Sequence, residues 1–85
     1  MPQQWKITAV ADDGEHVIIE ENKGGLLRRL LTSAVHKLYG EDKEVDKYEI
    51  VINGTIQTNL DVSLEHAGLR DGSEVVVQPI DVSRG

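Results

Sequence analysis

From Gly25 to Tyr39 the chain reads GLLRRLLTSAVHKLY, with apolar residues three and four apart. Leu26, Leu27, Leu30, Leu31, Ala34, Val35 and Leu38 fall on one wide stripe of a predicted helix, and Arg28, Arg29, Thr32, Ser33 and Lys37 fall opposite. Gly40 stands just past the last periodic residue, where a left-handed C-cap is expected. Asn22 is the candidate N-cap.

On both sides of this segment the period drops to two. From Gln4 to Val10, Trp5, Ile7 and Ala9 alternate with Lys6 and Thr8, the signature of a half-buried strand. Asp13-Gly14 centres a turn, and His16 to Glu20 returns with Val17, Ile18 and Ile19, so the chain opens with a hairpin. After the helix, Glu41 to Lys47 is a charged loop. Tyr48 to Ile52 is a third strand, with Tyr48, Ile50 and Ile52 on one face and Glu49 and Val51 on the other. Asn53-Gly54 is a two-residue turn signal, followed by a short strand from Thr55 to Gln57. Asn59 to Leu69 is irregular: Ser63 opens one helical turn, and Leu64 and Leu69 anchor it. Asp71-Gly72 turns the chain into a last strand, Glu74 to Gln78, which Pro79 ends because proline cannot donate to a ladder.

A hairpin, one helix and then more strands is an α+β pattern. The helix must cross one face of a mixed sheet, with the last strand parallel to the first in the middle. That is the β-grasp arrangement: four to five strands packed on one main helix.

Composition narrows the function. The chain's 85 residues predict one domain, residues 1–79, followed by a tail, residues 80–85. A chain of this size buries roughly 60% of its unfolded surface. Phe is absent, and Trp5, Tyr39 and Tyr48 are the aromatic residues, so the core must come from Val, Ile and Leu. The net charge of −6 argues against nucleic acid and an anionic membrane, and favours a partner with a basic patch. Cysteine is absent, which removes thiolate chemistry and disulfides and fits a reducing compartment. The N-terminal segment does not read as a signal peptide, and the apolar runs fall far short of the roughly 20 residues that span a bilayer. The expected location is cytoplasmic.

The residues suggest no enzyme, metal or cofactor. No nucleophile–base set is visible. His16, His36 and His66 lack metal-ligand spacing, and Asp12-Asp13 and Glu20-Glu21 read as solvated charge. Gly24-Gly25 precedes the helix without the remainder of a phosphate loop.

Three segments of the second half carry a resemblance. They are Tyr48-Glu49-Ile50-Val51-Ile52-Asn53-Gly54, Ser63-Leu64-Glu65-His66-Ala67-Gly68-Leu69 and Asp71-Gly72-Ser73-Glu74-Val75-Val76-Val77. With the helix, they resemble the ubiquitin-like family over about Trp5 to Gly85. The acidic loop, the Leu69-Arg70-Asp71-Gly72 turn and the short tail are most similar to bacterial ubiquitin-like modifiers encoded beside activating-enzyme, conjugating-enzyme and deubiquitinase-like genes.

The resemblance implies a protein modifier. Its Gly85 carboxylate would be adenylated, carried as a thioester on partner cysteines and conjugated to a target amine through an isopeptide bond. The implied partners are an ATP-dependent activating enzyme, a conjugating enzyme, a deubiquitinase-like protease and the targets. Glycine's missing Cβ suits passage through a narrow cleft. The tail of Ile80, Asp81, Val82, Ser83, Arg84 and Gly85 would span roughly 20 Å when extended. Its single final glycine and Asp81 depart from the basic, two-glycine tails common in the family. The family also commonly binds partners on the sheet face turned from the helix, where alternation puts Val51, Val76 and Gln78. Lys6, Lys23, Lys37, Lys43 and Lys47 are candidate acceptors should chains form. Two alternatives share the fold: a non-covalent binding module, and a sulfur carrier with a C-terminal thiocarboxylate.

Overall fold

The computed structural model describes residues 4–80; the predicted tail sites Asp81, Val82, Ser83, Arg84 and Gly85 lie outside the described residues. The elements are β1 (Gln4–Ala11), β2 (His16–Asn22), α1 (Leu27–Leu38), a 3₁₀ turn (Val45–Lys47), β3 (Tyr48–Ile52), β4 (Thr55–Ile56) and β5 (Glu74–Pro79). Among the described residues the strands form one sheet in the order β2-β1-β5-β3-β4. β1 pairs antiparallel with β2 and parallel with β5, and β3 pairs antiparallel with β5 and β4. The α+β, β-grasp architecture expected from the pattern is therefore the observed one, with the last strand parallel to the first at the centre.

Alternation decides which side chains meet the helix. Ile7, Ala9 and Ala11 of β1, Ile19 of β2, Ile50 and Ile52 of β3, and Val75 and Val77 of β5 are buried. Leu27, Leu30, Leu31, Ala34 and Val35 of α1 pack with all of these but Ala11 in one core. Leu64 and Leu69 close the core from the irregular segment, the anchors expected of them. Asn53 (φ 51°) and Gly54 (φ 79°) both take the left-handed conformation that a tight hairpin turn requires.

The helix begins differently from expectation. Its first amides are satisfied by a distant stretch of backbone: Leu27 N donates to the Val62 carbonyl (2.8 Å) and Arg28 N to that of Leu60 (2.9 Å). Asn22 is not the N-cap. Its Oδ1 accepts from Gly24 N (2.9 Å), a local turn, and Leu26 occupies the cap position without a side-chain bond. Leu26 is correspondingly 41% exposed and stands outside the buried stripe. At the other end Tyr39 is the C-cap; Tyr39 N and Gly40 N both donate to the Val35 carbonyl. Gly40 has φ +132°, a backbone conformation that favours glycine; a Cβ there would lie 2.8 Å from Asp42 Oδ1, the end of an exposed side chain that can swing away. His36 and Lys37 place basic groups near the negative end of the helix dipole.

Other boundaries shift slightly. β2 runs two residues beyond Glu20, the charged loop contains the 3₁₀ turn, and β4 stops at Ile56. Gln57 N still donates to the Ile50 carbonyl at 3.0 Å.

Candidate functional site

The sheet face turned from α1 carries a row of aligned side chains. Register pairs His16 with Val10, Val10 with Val76, Val76 with Val51 and Val51 with Ile56. The row thus crosses all five strands of the described sheet, from a histidine through three valines to an isoleucine. Val10, Val51 and Val76 are half-buried and Ile56 is exposed. Beside the row, Ile18 opposes Thr8 and is 59% exposed, the most open large apolar side chain described. Lys6, Thr8, Glu20 and Glu74 supply polar surroundings.

Val51, Val76 and Gln78 all stand on this face. The valines are register partners, whereas Gln78 lies toward the end of β5, opposite Glu49. Its Nε2 donates to Glu49 Oε2 at 2.7 Å, and Glu49 is only 8% exposed. Val10, Ile18 and Ile56 were not singled out from the sequence. Alternation in the opening hairpin points Val10 and Ile18 outward, but only the β1–β5 and β3–β4 registers align Val10 and Ile56 with the other two.

The path toward Gly85 starts at the end of β5. Pro79 pairs with Tyr48, and Ile80 N donates to the Lys47 carbonyl at 2.9 Å. Ile80 is thereby fixed to the sheet and 42% exposed.

Two polar arrangements brace these elements. The Tyr39 hydroxyl lies 2.8 Å from the Val77 carbonyl and 2.9 Å from Asp12 Oδ1, and accepts from Asp12 N at 3.3 Å. Burial, with the nearby Asp12 and Asp13 carboxylates, pushes the Tyr39 phenol up to about 12. It ties the end of α1 to β5 and to the first hairpin turn. On the other side of α1, Arg28 donates to both Asp61 oxygens (2.9 and 3.2 Å), which holds the Asp61 carboxyl below its ordinary range.

The three histidines do not join a metal-binding group; among the described residues no three His, Asp or Glu side chains converge to hold an ion. No helix among them is long and apolar enough to cross a membrane.

This is the ubiquitin-like β-grasp fold, and solved structures agree. The chain superposes on the ubiquitin-like domain of Plasmodium falciparum Dsk2 with a TM-score of 0.78 at 15% identity, covering 92% of this chain and 100% of that one. Against Caldiarchaeum subterraneum ubiquitin the TM-score is 0.76 at 18% identity, with 94% and 98% covered. A ubiquitin-like domain of the Arabidopsis thaliana protein At2g32350 gives 0.76 at 16% identity, with 98% and 84% covered. At such identities the likeness is one of fold. No protein-family profile and no curated protein matches the sequence.

Proposed function

We propose that this chain is a ubiquitin-like protein modifier, recognised on its outer sheet face and activated at Gly85. The observation that carries the reading is the apolar row Val10–Val76–Val51–Ile56 on the same sheet whose central strand, β5, leads directly to the tail. In this reading a partner seated on the row also takes the tail that follows Ile80.

In the proposed chemistry the Gly85 carboxylate attacks the α-phosphate of ATP and pyrophosphate leaves. A cysteine thiolate of the activating enzyme then attacks the acyl carbon and AMP leaves, giving a thioester. Transfer to a conjugating enzyme exchanges one thiolate for another. Attack by a target amine releases that thiol and forms the amide, which a deubiquitinase-like protease would hydrolyse. Every nucleophilic cysteine belongs to a partner, which suits a chain that has none. Bacterial origin and a cytoplasmic setting are part of the same proposal.

The row also supports a second reading, a binding module that engages partners without covalent attachment. ATP–pyrophosphate exchange by an activating enzyme of the proposed kind separates the two. The modifier reading expects exchange that depends on this chain and is lost when Gly85 is deleted. Exchange that never responds to the chain, with partner binding still sensitive to Val76→Lys, selects the binding module.

A further inference from the structure

β2 is an outermost strand, and among the described residues no strand lies beyond it. Which of its backbone groups face outward follows from β1. Thr8 N donates to the Ser73 carbonyl (2.9 Å) and the Lys6 carbonyl accepts from Gly72 N (2.9 Å), so these residues turn their backbone groups away from β2. Ala11 N, by contrast, donates to the Glu15 carbonyl at 2.7 Å, toward the returning strand. Register sets Lys6 opposite Glu20, Thr8 opposite Ile18 and Val10 opposite His16. These are the non-hydrogen-bonded pairs of the ladder, so the N–H and C=O groups of His16, Ile18 and Glu20 point to the outer edge.

Such an edge is a template for another strand, and its side chains select which. His16-Val17-Ile18-Ile19-Glu20 is complementary to its own reverse. Laid antiparallel on a second copy with Ile18 opposite Ile18, it sets His16 against Glu20, an imidazole against a carboxylate, and Val17 against Ile19. Lys6 flanks Glu20 on β1, so acid lies between two basic groups across the junction. Ile18, 59% exposed, falls at the centre of the pairing. Centring it on Ile19 instead would set Ile18 against Glu20 and Val17 against Glu21, so cross-strand pairing chooses the first register. Beyond these residues Glu15 and Glu21 would face each other, which limits the pairing to them. A hollow of about 430 Å³, lined by Lys6, Ile18, Ile19, Glu20, Ser33 and Lys37, gives the incoming strand room.

We propose that two copies of this chain pair through β2 as an antiparallel, two-fold dimer centred on Ile18. The axis stands normal to the sheet, so the outer faces of both copies lie on one side and the sheet runs through from one copy to the other. Each of the pairs His16–Glu20 and Ile18–Ile18 exchanges both N–H···O bonds. The dimer uses up both β2 edges, so assembly stops at two. Repulsion between two copies of net charge −6 keeps it weak. It does not rest on the modifier reading, since β2 is remote in sequence from the tail.

The test is sedimentation equilibrium with an amide chemical-shift series on the full chain, from about 10 μM to about 1 mM. We expect a monomer–dimer equilibrium, with concentration-dependent shifts at His16, Ile18 and Glu20. Ile18→Lys, at an exposed position, weakens dimerisation about tenfold or more and leaves Tm at low concentration unchanged. His16→Glu, which sets like charges against each other, weakens it about fivefold, whereas His16→Arg keeps the dimer. The chain has no cysteine, so a single Ile18→Cys reports the register. Its Cα would stand about 5.5 Å from its counterpart, within disulfide reach. Mild oxidation should link copies there and not at Ile56→Cys on the opposite edge of the sheet. A monomer throughout the concentration range overturns the proposal, as do species larger than a dimer, shifts confined to Val51 and Val76, or equal linking at Ile56→Cys. No ATP or activating enzyme enters these measurements, so their failure is distinct from failure of Gly85-dependent exchange.

Discussion

Replacing Tyr39 by phenylalanine removes one hydroxyl and keeps the ring, which packs 4.6 Å from the Tyr48 ring centroid. The loss is therefore polar. The hydroxyl has one proton for two acceptors, the Val77 carbonyl and Asp12 Oδ1, and it accepts the Asp12 amide. Losing about one good hydrogen bond, partly assisted by charge, costs about 1–2 kcal/mol. For a domain of this size each kcal/mol lowers Tm by roughly 4–8 °C. The assay is thermal and urea unfolding followed by far-ultraviolet circular dichroism.

The same hydroxyl supplies a signature in alkali. Its pKa rises from 10.0 to about 12 on folding, chiefly through burial. A raised folded value means that the stabilisation is whole below pH 10, where both states hold the proton. It then drains away between pH 10 and 12, as the unfolded chain ionises first. Tyr39→Phe removes this component, so the gap between the two proteins narrows across that window. A variant with wild-type Tm, and with the same alkaline loss as wild type, would refute the bracing role of Tyr39.

Three further outcomes follow from the packing. Leu64→Ala, at a fully buried position, costs about 2–5 kcal/mol in urea unfolding and loosens the 59–69 segment first in hydrogen exchange. Gly54→Ala meets no atom within 4 Å, so its cost is backbone strain alone, about 1–2 kcal/mol by the same unfolding assay. The exposed Arg28–Asp61 pair contributes stability above the ordinary carboxylate range and loses it as pH falls below that range. Acid titrations of Asp61→Asn should lack this loss, and high salt should shrink the difference from wild type.

The strands were legible because alternation over β1, β3 and β5 is a local property, and each inner face proved to be core. Asn53-Gly54 announced its hairpin for the same reason: the turn needs two residues that tolerate positive φ. The start of α1 was not legible. Its first amides are capped by the carbonyls of Leu60 and Val62, some 30 residues away in a stretch with no periodicity. Asn22 looked like a cap by type but spends its side chain on Gly24. The candidate site divides in the same way. Val51 and Val76 were placed on the outer face by strand parity, whereas their alignment with Val10 and Ile56 depends on inter-strand register. The hollow lined by Leu31, Val45, Tyr48, Leu60 and Ile80 was invisible because its walls come from helix, 3₁₀ turn, strand and irregular chain at once.

Activation at Gly85 is the central claim, and intact mass tests it most directly. The chain is incubated with an ATP-dependent activating enzyme of the proposed kind, ATP and magnesium, then weighed with and without reductant. The account predicts an enzyme adduct of one chain that reductant releases and that deletion of Gly85 abolishes. An adduct that survives the deletion, or none from a folded chain with an active enzyme, would contradict it.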